Sequence, residues 1–354
     1  MKVLQFLLPV GLGGVERIAA MLYNYKGQSG NSMYLAIGKS YINDFLQKYS
    51  IKNVQNVYPV DDSSMIKSLI GLRRIISQLQ PDVVHVHARR ETFLAGLVNF
   101  NGINIRTQHM AENPGIPVSW IEKYILQRNV VLWASTSQKL ADEYLANLDY
   151  IRKRKIRIVY NGIDLPKKTY IHDERQKKFC IISRFTTQKG IDILLNQIAK
   201  MPDTLKESIR IDLWGEGEEK GKLLQLIQKL HLRNQIIYKG VTYTPTDELV
   251  HYDALLMPSR YEGLPLTMLE SMAVKTPVAI HDVGCVSEFL TNNQNGWIIK
   301  NPSEWEVFFS KMLADDFDLE NIAENAYETY KEKFLGKRMC EAYQDLYAEA
   351  WERG

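Results

Sequence analysis

The chain has 354 residues, 45% hydrophobic and 24% charged, proportions that exclude wholesale disorder, and its length suggests two domains of roughly 100 to 200 residues each. Three cysteines, Cys180, Cys285 and Cys340, stand far apart with no Cys-x-x-Cys pair, which argues against a disulfide framework or a thiolate zinc site and fits a reducing cytoplasm. The net charge of +3 is uneven: residues 1–165 carry 20 Lys and Arg against 12 Asp and Glu, the remainder 24 against 29, so the first half suits something anionic.

Residues 3–10 open the chain as a short apolar run. It is too short for a signal peptide, and no apolar run nears the roughly 20 residues of a spanning helix. It reads as a buried strand. Residues 16–25 follow with helical spacing, then strands at 33–37 and 54–60. Met65, Ile66, Leu69, Ile70, Leu72, Ile75, Ile76 and Leu79 mark the face of a helix over 65–79. Strands are expected at 82–86, 103–107, 130–134 and 156–159. Alternation of strand and helix implies βαβ units and a parallel sheet.

At Asn161-Gly162 and Pro166-Lys167-Lys168 the rhythm breaks into turn formers and solvated charge, which sets a linker at about 165–175. The alternation then repeats. Strands are expected at 179–183, 209–214, 235–238, 254–258, 277–281 and 296–299, with helices at 192–200, 218–230, 247–252, 265–273 and 286–290. Residues 319–351 read as helix, with Tyr327, Tyr330, Phe334, Tyr343, Tyr347 and Trp351 as core packing. The fold class is therefore α/β, with two Rossmann-like doubly wound domains facing a cleft: 1–168, 169–320, and a C-terminal helical segment, 321–354. Ligands of open α/β sheets bind at the carboxyl ends of the strands, so the residues just after each strand are the candidates.

The first strand leads into Gly11, Gly13 and Gly14. A dinucleotide fingerprint fails there, because Glu16 stands at its third glycine and no acid ends the second strand. The glycines would still let helix-start amides approach an anion or a hydroxyl-rich ligand. The strongest signal is in the second half, where Glu262 and Glu270 stand eight positions apart. Glu262 lies in a loop after a buried strand, Gly263 and Pro265 shape the turn, and Glu270 lies inside the helix that follows. Such carboxylates can hold two vicinal diols at once, as in a sugar and a ribose. The helix-start amides between them suit a diphosphate.

With this block the sequence resembles the large retaining glycosyltransferase family of GT-B fold called family four, or glycosyl transferases group 1. Other pieces match in order: Gly13-Gly14-Val15-Glu16-Arg17, the Asp82 to His87 strand end, Asn161-Gly162-Ile163-Asp164, Arg184 with Lys189-Gly190, and Gly215-Glu216-Gly217. The resemblance implies that Arg184 and Lys189 bind the donor diphosphate and neutralise the leaving group. It implies that Glu262 contacts the donor sugar, with the backbone of Gly263, Leu264, Pro265 and Leu266 near the phosphate. Glu270 would hold the ribose, and Gly215 and Gly217 would border the nucleotide. His109 matches a cleft histidine beside the reacting centre. Gly13 and Gly14 would meet the acceptor or the transferred sugar. It also implies a C-terminal helix crossing back to the first domain.

The implied activity is metal-independent, retaining transfer of a sugar from a nucleoside diphosphate donor, UDP-linked, to a saccharide or lipid-linked saccharide in surface polysaccharide or glycoconjugate synthesis, with no cofactor. A sugar-nucleotide epimerase of the same fold and a catalytically silent sugar-binding partner subunit are the alternatives, and the retained charged residues argue against silence. Lys275 and Cys285 depart from the family, each standing where it usually has glycine. A metal site is not expected: His85 and His87 lack an acidic third ligand and read as cleft-edge polar groups, and Asp316-Phe317-Asp318 reads as a solvated turn. The apolar run within 120–128 and the cations of 151–157 suit an anionic membrane surface. No recognition motif points to nucleic acid. The expected location is cytoplasmic and peripheral to the inner membrane face.

Overall fold

A computed structural model of the protein describes residues 1–8, 11, 13–25, 30–110, 130–147, 155–164 and 177–353. No helix among them is long and apolar enough to cross a membrane. They form two compact units, Met1–Gly162 with Gly336–Gly354, and Ile163–Leu335. The expected linker at 165–175, the 120–128 segment and residues 151–154 lie outside the described residues.

The first unit is a parallel sheet of β1 (Lys2–Leu7), β2 (Ser32–Gly38), β3 (Val57–Val60), β4 (Val83–Val86), β5 (Ile103–Gln108), β6 (Val130–Ser135) and β7 (Ile156–Ile158), in the order β3-β2-β1-β4-β5-β6-β7. Central β4 and β5 are buried at every residue, as expected of strands covered on both faces. Helices α1 (Gly14–Asn24), α2 (Ile42–Lys48), α3 (Met65–Leu79), α4 (Arg89–Gly96) and α5 (Gln138–Asn147) lie between the strands. Helix α3 spans the expected 65–79: Ser64 caps it by accepting the Lys67 amide, and Leu72, Ile75, Ile76 and Leu79 are buried, whereas Met65, Ile66 and Ile70 of the expected face are exposed. The strand expected over 54–60 begins only at Val57. Val54–Asn56 form a 3-10 turn, held by the Asn56 amide on Asn53 O and the Asn56 side chain on Met33 O.

The second unit repeats the plan with β8 (Phe179–Ile182), β9 (Ile211–Trp214), β10 (Ile236–Gly240), β11 (Ala254–Met257), β12 (Val278–His281) and β13 (Trp297–Ile299). All pairs are parallel, in the order β10-β9-β8-β11-β12-β13. Its helices are α6 (Ile191–Lys200), α7 (Asp203–Lys206), α8 (Lys220–Lys229), α9 (Pro245–Leu249), α10 (Leu266–Ala273), α11 (Glu304–Leu313) and α12 (Leu319–Lys333). Phe179 of β8 packs edge-on against Phe309 of α11 at 5.1 Å, and Trp305 against Phe308 at 5.7 Å. Each such side chain contributes about 1.5–3 kcal/mol by burial. The expected helix over 286–290 is a single 3-10 turn, Val286–Glu288.

The helical stretch read as one segment is divided. Helix α12 belongs to the second unit, and α13 (Gly336–Arg353) belongs to the first. The break falls at Phe334, whose carbonyl accepts the Ile163 amide at 2.9 Å and whose ring packs on Phe289. Helix α13 is held to the first unit by Tyr343 and Tyr347, both fully buried, and by Arg157, which forks onto the Glu349 carboxylate.

Candidate functional site

In the second unit the connections from β8 lead to β9 on one side, while β11 pairs on the other. The space past the carboxyl ends of β8 and β11 is thus a topological switch point, the usual ligand crevice of an open α/β sheet. Residues 183–190 and 258–265 meet there, joined by their backbones and side chains. The Arg260 amide bonds Gln188 O at 2.8 Å, and the Gln188 side chain donates to Tyr261 O at 3.1 Å. The Arg260 guanidinium forks onto Asp192 at 2.8 and 2.6 Å and donates to Thr187 O. Its hydrogen bonds hold the Asp192 carboxyl below its ordinary range.

This stitching brings together two residues that lie 73 positions apart. Lys189 Nζ donates to Glu262 Oε1 at 2.7 Å, with the side chains 17% and 5% exposed. Ser259, fully buried, donates to the same oxygen at 2.6 Å. The carboxylate is fixed at the crevice, and Lys189 is drawn onto it instead of standing as a free cation. Arg184 is exposed and makes no ion pair among the described residues. Ser259 was not singled out from sequence, although the Pro258-Ser259 flank of the block was its signal.

Pro265 is the N-cap of α10 and its carbonyl accepts the Met268 amide, and the amides that open the helix have no partner within it. Glu270 lies inside α10 and is buried, 3% exposed. Gly215 and Gly217 take φ of 144° and 153°, and a Cβ on either would strike a carbonyl oxygen, Ser183 O or Phe185 O. Close packing of the β9 loop on the β8 loop therefore already requires both glycines. Their bearing on a nucleotide comes through the loop they shape.

Both departures acquire local reasons. Cys285 donates its thiol to Gly263 O at 3.0 Å, tying the β12 loop to the Glu262–Leu264 turn. Lys275 sits at φ 61°, a left-handed conformation that favours glycine and that costs other residues about 1–2 kcal/mol. Its ammonium pairs with Glu324 and lies 5.1 Å from the Tyr327 ring centre, which offsets part of that cost.

In the first unit His109 follows β5 and is buried, 9% exposed. It does not stand alone. His87 Nδ1 lies 3.0 Å from His109 Nε2, and His87 Nε2 lies 2.6 Å from Gln5 Oε1. Gln5 donates to Tyr347 OH at 2.9 Å, which lies 2.9 Å from His85 Nδ1. His85 Nε2 lies 2.7 Å from Thr107 Oγ1, which meets Tyr343 OH at 2.9 Å. His85 and His87 are thus corrected from cleft-edge groups to buried ones: the α13 tyrosines pack on His85, and His87 lies among His85, His109 and Gln5. Burial pushes His85 down to about 3, His109 to about 4 and His87 well below the ordinary 6.5. Nothing in the sequence linked Gln5, Tyr343 and Tyr347 to His109, since the contacts join residues up to 342 positions apart.

Glu91, also unforeseen, is buried and accepts the Leu8 amide at 2.8 Å; burial raises its carboxyl to about 7. The Gly13 amide is taken by Glu16 at 2.8 Å and its carbonyl by Tyr49 OH at 2.9 Å, so Gly13 shapes the start of α1 with both its polar groups engaged. Asp318 accepts the Asn321 amide as the cap of α12, which accounts for the second acid of Asp316-Phe317-Asp318. Among the described residues no group of three or more His, Cys, Asp and Glu is placed to hold a metal ion.

Residues 164–329 match the family model described as Glycosyl transferases group 1, and residues 12–167 the one described as Glycosyltransferase Family 4. The chain is 27% identical over 179 residues to a poly(ribitol-phosphate) alpha-N-acetylglucosaminyltransferase of Staphylococcus aureus, covering 50% of this chain and 36% of that protein. It is 26% identical over 206 residues to an N-acetyl-alpha-D-glucosaminyl L-malate synthase of Bacillus anthracis, covering 55% of this chain and 54% of the relative. These alignments therefore span about a third to a half of the relatives' own length. Among solved structures, Anabaena HepE in complex with UDP-glucose superposes with a TM-score of 0.83 at 16% identity, covering 99% of this chain and 100% of that one.

Proposed function

The chain belongs to the group 1 glycosyltransferases of the GT-B fold, and from that membership we propose that it moves a sugar from a nucleoside diphosphate donor, UDP-linked, onto a saccharide or lipid-linked saccharide. The observation that carries the reading is the Lys189–Glu262 pair at the switch point of the second unit, beside exposed Arg184 and the start of α10. A diphosphate there would meet Arg184, Lys189 and the helix-start amides, and its leaving charge would be stabilised without reorganisation of solvent. Glu262 would hold hydroxyls of the transferred sugar and Glu270 those of the ribose. The UDP-linked donor is supported by the relatives' N-acetylglucosaminyl names and by the UDP-glucose of the Anabaena protein.

Transfer would proceed with retention. The sugar leaves with oxocarbenium character, the acceptor hydroxyl attacks from the same face, and the departing phosphate oxygen takes its proton. His109 would face the reacting centre from the first unit, with Gly13 and Gly14 near the acceptor. No metal or cofactor takes part. The basic and apolar stretches at 120–128 and 151–157 would hold the protein to an anionic membrane in the cytoplasm, where lipid-linked acceptors of surface polysaccharide synthesis are presented.

The test is thermal unfolding with UDP, UDP-glucose and UDP-N-acetylglucosamine in the presence of a chelator. A ligand at 100 times its Kd stabilises by about 2.7 kcal/mol. No shift with any nucleoside diphosphate, or a shift that requires magnesium or manganese, overturns the proposal.

A further inference from the structure

The buried chain that ends at His109 has a direction, and Gln5 sets it. Gln5 Oε1 can only accept, so His87 Nε2, 2.6 Å away, carries a proton. A neutral imidazole has one N–H, so His87 Nδ1 accepts, and His109 Nε2 at 3.0 Å must donate to it. The His109 proton is thereby turned inward. Nδ1 of the same ring keeps its lone pair and makes no hydrogen bond among the described residues. On the other side the assignment is consistent: Gln5 Nε2 donates to Tyr347 OH, Tyr347 donates to His85 Nδ1, and His85 Nε2 donates to Thr107 Oγ1. No group in the chain is left with two donors or two acceptors facing each other. A Gln5 amide turned over would reverse every one of these donors.

We propose that Gln5, His87 and Tyr347 are positioning residues that hold His109 in its Nε2–H tautomer, so that the ring offers a hydrogen-bond acceptor, Nδ1, to a sugar hydroxyl of the substrate. The inference rests on the reading of His109 as a residue facing the reacting centre. It adds which atom of the ring does the work, and it gives α13 a part in the chemistry. The chain leaves the first unit at Gly162, builds the second, and returns at Gly336 to supply Tyr347. Burial of all three histidines keeps them neutral near pH 7, so each ring has one N–H and one acceptor nitrogen.

The test is nitrogen NMR of the full-length protein labelled in its histidines, recorded near neutral pH with long-range proton–nitrogen correlation. His109 is assigned by loss of its signals in His109→Gln. The expected result is the far-downfield shift of an unprotonated nitrogen at His109 Nδ1 and the upfield shift of an N–H at Nε2. A protonated Nδ1, whether from the other tautomer or from an imidazolium, overturns the proposal, and this spectrum needs only the parent protein. In Tyr347→Phe the ring stays and the hydroxyl goes, so Gln5 loses the partner that fixes its orientation. The His109 shifts should then move toward each other as two tautomers exchange, with thermal unfolding confirming that the variant is folded. Unchanged shifts would remove Tyr347 from the positioning role. If UDP fails to bind while the spectrum is as expected, the functional reading falls and the tautomer stands; the reverse outcome separates them the other way.

Discussion

Lowering the pH from 7 to 5 should loosen the first unit ahead of the second. Burial holds His85 at about 3 and His109 at about 4, and pushes His87 well down. A histidine whose folded pKa is depressed contributes its full stability above the unfolded value of about 6.5. That stability is lost as the pH falls toward the folded value. At about 1.4 kcal/mol per pH unit, His85 and His109 each give up about 2 kcal/mol at pH 5, or about 4 kcal/mol together, and the lowered His87 acts in the same direction. Glu91 opposes them. Burial raises it to about 7, so its stability is present at low pH and is lost as the pH climbs through 7; acidification to pH 5 returns about 2 kcal/mol. The net loss from the His85, His109 and Glu91 shifts is about 2 kcal/mol, to which His87 adds, against the roughly 5–15 kcal/mol that holds a domain. In the second unit His281 is lowered by burial but lacks companions of its kind. Hydrogen exchange of the full chain at pH 7 and pH 5, corrected for intrinsic rates, reads this on peptides from β4 and β5 against peptides from β8 and β11. Equal opening of the two units, or opening led by the second, would refute the reasoning.

Arg184→Ala should lower turnover roughly ten- to a thousandfold, the scale of losing one charge-stabilising group, while thermal unfolding stays within about 0.5 kcal/mol because an exposed loop residue is removed. Lys189→Ala should also lower turnover and, unlike Arg184→Ala, destabilise the second unit, since it strips a 5% exposed Glu262 carboxylate of its cation; equal melting temperatures for the two variants would count against that pairing. Glu270→Gln should weaken UDP and the sugar nucleotide by similar factors and raise KM more than it lowers kcat, as calorimetry beside steady-state kinetics would show.

Much of the scaffold was legible because its signals are local. Short apolar runs separated by amphipathic stretches mark strands and helices wherever burial is continuous; Met65–Leu79 has the expected bounds and cap, and its buried face is carried by Leu72, Ile75, Ile76 and Leu79 while Met65, Ile66 and Ile70 stay exposed. What escaped was either short or decided by distant partners. Helix α4 has no strong apolar stripe, because its buried face includes Glu91 and Thr92. Helix α11, which supplies the Trp305, Phe308 and Phe309 side chains of the second core, falls between the expected strand at 296–299 and the expected helix from 319, where the sequence gives no element. The candidate site divides in the same way. Glu262 and Lys189 could be named from their motifs, but their 2.7 Å pairing depends on how two loops fold over a switch point. Spacing along the chain carries no trace of Gln5 meeting Tyr347, because that contact exists only once α13 has returned to the first sheet. Gly215 and Gly217 had a functional motif to explain them, yet the carbonyl oxygens of Ser183 and Phe185 already demand glycine there.

The Lys189–Glu262 pair also changes what Glu262→Gln should do. In the free protein the lysine charge is already balanced, so a diphosphate that recruits Lys189 must draw it away from a carboxylate 2.7 Å distant. At an effective dielectric of about 20, opposite charges near 4 Å attract by about 4 kcal/mol before solvation is counted, so this competition is substantial. Glutamine keeps an oxygen for the Ser259 hydroxyl but removes the negative charge. UDP, which has no sugar for Glu262 to hold, should therefore bind Glu262→Gln at least as well as the parent, and up to several-fold tighter. Turnover should still fall, because the carboxylate would be missing from the sugar as positive charge develops on its ring. Calorimetry with UDP beside steady-state kinetics separates the two effects. A tenfold loss of UDP affinity in Glu262→Gln would mean that the carboxylate supports the nucleotide directly, and the assignment of Glu262 to the sugar would have to be given up.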